Sequence, residues 1–274
     1  MKFIEPRLFS EFNNGAKAFL DENGFVVLEN YISSTVLRAM RSTLLELAKK
    51  EVDAGVACLY ENLPNTIGNR INSSSKCQRI WNILNKSKLF HQIPLSALHF
   101  DAMNYIFSRP TQHELYKISS FQANILRPGA LQQKIHIDTP FPDPQPHWQV
   151  KANTITLLDE FTRTNGATMV VPGSHKYFRK PTGVNEDLEK LVSILAPIGS
   201  TIITLGGLWH ASGTNSSNQS RIVVLGSYCA SYCIDITFEE FHPLVRNQAI
   251  QFDPALACLL SLNRPLKEGS VSFK

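Results

Sequence analysis

Three stretches of the chain hold residues whose types and spacing suit metal chemistry: His136-Ile137-Asp138, His210 and Arg221. In an extended strand, residues i and i+2 project from one face, so the His136 imidazole and the Asp138 carboxylate stand side by side. His210 follows Asp138 by 72 residues, in Gly206-Gly207-Leu208-Trp209-His210, and Arg221 comes 11 residues later. Two imidazoles and one carboxylate on one face of a cation make the ligand set of non-haem Fe(II) sites. They leave the opposite positions open for a bidentate co-substrate and O2. An arginine behind such a metal can hold the far carboxylate of a 2-oxo acid through two parallel charge-assisted hydrogen bonds. His-x-Asp alone is a weak motif, because a lone buried histidine is often only a satisfied core residue. The distal His and Arg strengthen it without deciding the matter.

The elements that must position these residues fall into two parts. The first third reads mainly helical. An initial helix leads through Asn23-Gly24 into the β-type run Phe25-Val26-Val27-Leu28, and Ser33-Ser34 then caps a long amphipathic helix ending near Lys50. Leu37, Met40, Leu44, Leu45, Leu47 and Ala48 keep helical spacing and read as core. Further helical stretches are expected over 79–85 and 95–106. From residue 118 the pattern changes to short runs rich in Ile, Val and Thr between turn formers, over 118–126, 134–138, 154–158, 168–171, 200–205 and 221–228. Helices before strands, rather than alternating with them, argue for a β-sandwich or jelly roll and against a doubly wound sheet. The polar stretch after Arg264 is expected to fray.

Length and composition set the outer bounds. The chain has 274 residues, 43% of them hydrophobic and 18% charged, which suits a globular protein with a substantial core. The net charge of +4 is mild and scattered, so nucleic acid is not an expected partner. No apolar run approaches the roughly 18 residues of a membrane span. The five cysteines are odd in number and irregularly spaced, which fits neither a disulfide framework nor a zinc knuckle. The opening MKFIEPRLFSEF shows no signal-peptide core, so a cytoplasmic location is expected.

One long motif sharpens the reading. The stretch 157–175, LLDEFTRTNGATMVVPGSH, resembles the signature of the phytanoyl-CoA dioxygenase (PhyH-like) family of Fe(II)/2-oxoglutarate oxygenases, and its NGAT and VPGSH portions resemble members from natural-product pathways. His-x-Asp before it, the distal His after it and Arg eleven residues on match the family in order and spacing. Asn23 to Leu28 matches its N-terminal strand, and the resemblance runs from about residue 17 to 232.

The resemblance implies a mainly β protein with flanking helices, built on a double-stranded β-helix (jelly-roll, cupin-like) core. A single oxygenase domain is expected over 1–274, with a helical N-terminal region to about 117, the core over about 118–235 and a C-terminal extension over about 236–274. The resemblance implies His136, Asp138 and His210 as iron ligands and Arg221 as the 2-oxoglutarate clamp. Gln133 and Thr168 match positions that contact the co-substrate, Asn153 faces the same site, and Arg70 resembles an arginine that reaches it from the helical region. Expected cofactors are Fe(II), 2-oxoglutarate and O2. The expected reaction is oxidation of an unactivated C–H bond of a small organic substrate in secondary metabolism, with succinate and CO2 released. Hydroxylation is expected first, with desaturation or cyclisation as alternatives. Halogenating relatives replace the carboxylate ligand by a small residue, and this chain keeps Asp138.

The remaining candidates read as structural. His175 closes a strand-end turn, His147 belongs to a surface loop, and Cys229 and Cys233 are small buried hydrophobes. Trp209 either walls the metal pocket or fills core. Two other classes stay open: a jelly roll that binds or scaffolds without catalysis, and a cupin-type metal dioxygenase that does not use 2-oxoglutarate. Loss of metal and 2-oxoglutarate binding would mark the first, and activity indifferent to Arg221 the second.

Overall fold

A computed structural model of the chain describes residues 2–29, 32–60, 76–108, 115–139, 141–183, 185–233 and 252–260. Twelve strands among these residues form two sheets. The larger sheet combines β2 (Leu8–Phe9), β3 (Phe25–Leu28), β10 (Thr201–Leu205), β7 (Lys151–Leu157), β12 (Arg221–Ala230), β6 (Tyr116–Leu126), β5 (Cys77–Ile80) and β4 (Cys58–Tyr60), in that spatial order. The smaller sheet runs β1 (Lys2–Ile4), β9 (Val192–Ile194), β8 (Thr168–Val170) and β11 (His210–Ser212).

The period-2 alternation of the central strands decides which layer each residue joins. On β12, Ile222 and Val224 enter a core shared with the helices, whereas Val223 enters a second core between the sheets with Phe25, Leu157, Val170 and Ile202. On β6, Ala123 and Ile125 face the helical side. Ser120, Gln122 and Asn124 alternate with them and line a cavity on the other face. The large sheet thus gives one face to packing and lends part of the other to a polar cavity.

The helices cover the packed face. In α1 (Asn14–Asn23) the Asn13 side chain accepts from the Ala16 N–H, satisfying one of the free donors at the helix start. The helix ends at Gly24 in the left-handed region (φ 79°), where a Cβ would lie 2.5 Å from His175 Nδ1. In α2 (Ser34–Asp53) Ser33 caps Val36 N, and Leu37, Met40, Leu44 and Ala48 form the buried stripe. Leu45, read as part of that stripe, is exposed. The remaining helices are α3 (Ile83–Lys86), α4 (Ala97–Phe107), α5 (Asn185–Leu188) and α6 (Pro254–Leu259).

Two local expectations are corrected. The stretch 79–85, read as helix, starts in β5 and reaches helix only at Ile83. Pairing with β6, from Cys77 opposite Leu126 to Ile80 opposite Ala123, buries Cys77, Gln78 and Ile80 and overrides the local preference. The stretch 134–138, read as a strand, contributes one bridge, His136 with His210. Past it the chain leaves the small sheet, and the Asp138 N–H donates to Gly206 O. The polar stretch after Arg264 lies outside the described residues. No helix among the described residues is long and apolar enough to cross a membrane.

Candidate active site

His136, Asp138 and His210 meet at one end of the small sheet, with ligand atoms all within 4.8 Å of one another. The bridge between the two histidine backbones, N–H to O at 3.0 Å in both directions, sets their rings 4.3 Å apart. Each ring is oriented by the backbone carbonyl two residues before it. His136 Nδ1 lies 2.9 Å from Lys134 O, and His210 Nδ1 lies 2.9 Å from Leu208 O. A carbonyl oxygen can only accept, so Nδ1 carries the proton and the Nε2 lone pair is left free for a cation. His136 Nε2 is 3.7 Å from Asp138 Oδ1 and His210 Nε2 is 3.3 Å from Asp138 Oδ2. This neutral-imidazole and carboxylate set suits a divalent first-row metal and leaves one side uncovered, so the residues present fit Fe(II).

The charges reinforce one another. Burial opposes ionisation of Asp138, but His210, then His136 and Lys151, hold its carboxyl well below the usual range. Burial and the neighbouring His210 push His136 down to about 4. Burial also acts against charged His210, and Asp138 outweighs it to raise that pKa.

The triad opens into a cavity of about 700 Å³ between the two sheets. Arg221, Gln133, Thr168 and Asn153 all line it. Arg221 is buried, with Nη2 donating to Gly166 O at 2.7 Å and to Ser212 Oγ at 2.9 Å, and its guanidinium lies over the Phe161 ring at 5.0 Å. Burial lowers its pKa to about 10, so it stays charged at neutral pH. Gln133 pairs with Ser212 through both backbone and side chain. Asn153, expected to face the co-substrate, donates from Nδ2 to Asp138 Oδ2 at 2.6 Å. Arg70 lies outside the described residues.

The long motif decodes into supports for these groups. Asp159 accepts from Ile222 N at 2.9 Å and pairs with Arg41 of α2 at 2.8 Å, fixing the strand beside Arg221. Asn165 accepts from Thr162 N and donates to Glu160 O, closing its loop. Gly166 (φ 78°) approaches Gly213 so closely that a Cβ would lie 2.9 Å from Gly213 O, and its own carbonyl receives Arg221. Ser174 Oγ accepts from Trp209 N at 2.8 Å, next to His210. His175 has Nε2 3.1 Å from Asp21 O and is not part of the triad cluster, in line with its structural reading. Trp209 is fully buried in the core with Met169 and Val171, which settles it as packing. Cys229 and Cys233 are buried. The His147 ring lies against Phe178 at a separate recess of about 210 Å³.

Sequence reasoning missed Arg79, Trp81 and Lys151, which also line the cavity. Arg79 Nε donates to Asn124 Oδ1 at 3.2 Å, and the guanidinium lies over the Trp81 ring at 5.2 Å and the Tyr60 ring at 5.7 Å. It is the arginine that the described N-terminal region brings to the site.

Fold and site together define a jelly-roll chain whose two-histidine, one-carboxylate centre faces a cavity with a buried arginine. The chain belongs to the phytanoyl-CoA dioxygenase (PhyH) family, whose model matches residues 20–223. It is 27% identical over 226 residues to the dioxygenase af480 of Aspergillus fumigatus, covering 81% of this chain and 68% of that one. It is 26% identical over 220 residues to the multifunctional dioxygenase prhA of Penicillium brasilianum, covering 74% of this chain and 67% of that one. In fold it is similar to the crystal structure of EctD from S. alaskensis with 2-oxoglutarate and 5-hydroxyectoine. The TM-score is 0.61, the identity 21%, and the match covers 84% of this chain and 83% of that one.

Proposed function

We propose that the chain is an Fe(II)/2-oxoglutarate-dependent oxygenase that oxidises an unactivated C–H bond of a small organic molecule, with hydroxylation as the reaction, in secondary metabolism. The observation that carries the reading is the convergence of two carbonyl-oriented imidazoles and one amide-oriented carboxylate on a cavity that also holds buried Arg221. The dioxygenases it resembles supply the reaction class.

His136, His210 and Asp138 hold the metal. When bound, Fe(II) with 2-oxoglutarate and O2 supplies the oxidising power, and succinate and CO2 are the other products. Arg221 receives the distal carboxylate of 2-oxoglutarate. Its Nη2 is already committed to Gly166 O and Ser212 Oγ, so the guanidinium plane is set before the co-substrate arrives and little orientation is lost on binding. Gln133 and Thr168 extend the same subsite from neighbouring elements. Asn153 keeps the Asp138 carboxylate in one orientation. The enclosing sheets position the bond to be oxidised and exclude water from it.

Purified protein supplied with Fe(II), ascorbate and 2-oxoglutarate should form succinate, and an oxidisable substrate should stimulate it. His136→Ala should abolish both. Turnover that continues without metal would overturn the reading.

A further inference from the structure

The floor of the cavity is three strands wide, and strand register sorts its side chains into rows. Gln122 on β6 lies opposite Leu225 on β12, which lies opposite Ile155 on β7. The next row is Ser120, Ser227 and Asn153, and all six residues line the cavity. Asn153 donates to Asp138, so this second row sits beside the metal ligands. Arg221 opens β12 six residues before Ser227, about 20 Å back along the strand at strand rise. Both rows therefore lie away from the backbone that carries the co-substrate clamp.

Two polar atoms in these rows are unspent. Gln122 Oε1 and Ser227 Oγ are both shielded from solvent, and neither has a hydrogen-bond partner. Their amide neighbours on the floor are engaged, Asn153 with Asp138 and Asn124 with Arg79. A buried polar atom left unpaired in a cavity wall is costly, and a ligand that pairs with it removes that cost. Neither Gln122 nor Ser227 can ionise, so this part of the wall selects by hydrogen bonding and not by charge. Gln122 carries a carbonyl acceptor and an N–H donor side by side. A ligand group with its own N–H and C=O on one side satisfies both at once, whichever way the Gln122 amide is turned. A carboxylate or a ketone brings acceptors only, and a hydroxyl meets one end of the amide at a time. Ser227 is the diagonal neighbour of Gln122 across the strand pair, within reach of the same group.

We propose that Gln122 and Ser227 hold an uncharged amide of the organic substrate, so the substrate class is a small lactam, or another amide whose N–H and C=O share one side. Gln122 pairs with the amide N–H and C=O, the Ser227 hydroxyl donates to the carbonyl oxygen, and Leu225 and Ile155 take the hydrocarbon beside it. The inference rests on the oxygenase reading and adds the functional group by which the substrate is anchored.

The test uses the full chain with Mn(II) in place of Fe(II). Mn(II)-dependent binding of 2-oxoglutarate is measured first, by calorimetry, and its absence overturns the oxygenase reading. The complex is then titrated with 5-phenylpiperidin-2-one and with 4-phenylcyclohexanone, the same ring with CH2 in place of the N–H. The wild type should bind the lactam at least about tenfold more tightly than the ketone, which leaves the Gln122 acceptor unpaired. Q122M should lose that preference, and Q122E should keep most of it, because a carboxyl oxygen still accepts from the N–H. S227A should weaken both ligands by roughly fivefold and leave the preference in place. Circular dichroism confirms that each variant is folded. Equal affinity for lactam and ketone in the wild type, failure of both to bind, or a preference that survives in Q122M overturns the Gln122 assignment, and unchanged affinities in S227A overturn that of Ser227.

Discussion

The Asn153 amide donates to Asp138 Oδ2 at 2.6 Å across the gap between β7 and the turn that follows the His136 bridge. Asn153 sits in the middle of a strand paired on both sides, with Ser227 and with Thr204, so its backbone has little freedom. It gives the carboxylate a fixed support through Oδ2, and Asp138 would keep that orientation when holding the proposed metal. Residues that orient a ligand in this way commonly affect metal affinity by 10–100-fold. Asn153→Ala should therefore weaken Mn(II) binding by about that factor while the melting temperature changes little. Unchanged affinity in a calorimetric titration would show that Asp138 needs no support.

Gly166 joins a left-handed backbone, a close approach to Gly213 and the carbonyl that receives Arg221. Gly166→Ala places a Cβ where Gly213 O already lies at 2.9 Å and forces a strained φ. The expected cost is about 1–3 kcal/mol of stability. The 2-oxoglutarate affinity should also fall, because the loop carrying the carbonyl must shift. Urea unfolding and calorimetry check the two effects, and a variant with wild-type stability would contradict this view of the turn.

Asp159 works one residue from Arg221, through the Ile222 N–H and the Arg41 guanidinium. Asp159→Ala leaves a backbone donor of a central strand without its acceptor, a loss of about 1–3 kcal/mol. The Arg41 pair is partly exposed and adds little to that figure. Arg41→Ala alone should consequently cost well under half as much as Asp159→Ala. Equal losses would assign the effect to the ion pair instead.

His99 on α4 is 1% exposed, with Nδ1 3.0 Å from Ser96 Oγ, and burial pushes its pKa down from 6.5 to about 3. Above pH 6.5 the ring is neutral in both folded and unfolded chains and does not affect the balance. Below that value the unfolded chain takes up a proton that the folded chain refuses. Stability should then fall by up to about 1.4 kcal/mol per pH unit until the folded value is reached. His91 and His175, also lowered by burial, act in the same direction. Metal-free protein should show this slope in urea midpoints between pH 7 and 5, and His99→Asn should flatten it. An equal slope in the variant would rule His99 out as its source.

The parts of the site that were legible in the sequence are those tied to local patterns. His136-Ile137-Asp138, the distal His210 and Arg221 are marked by spacing and by the motif over 157–175, whose Asp159, Asn165, Gly166 and Ser174 hold fixed local geometry. Arg79 and Lys151 were not legible, because each reaches the cavity through strand register. Arg79 faces inward only because β5 aligns it with Asn124, and local preference reads that stretch as helix. Lys151 starts a strand, where a lysine ordinarily marks a solvated edge, and its burial follows from pairing with Cys229 in the middle of the sheet. The apparent strand over 134–138 failed for the reverse reason, since its alternation had only one bridge to pair with.

Crystals grown without oxygen from protein loaded with Fe(II) and 2-oxoglutarate, measured on both sides of the iron absorption edge, test the central claim most directly. One anomalous peak should lie within bonding distance of His136 Nε2, His210 Nε2 and the Asp138 carboxylate, with the far carboxylate of 2-oxoglutarate on Arg221. An iron peak elsewhere, or none at full loading, would contradict the account.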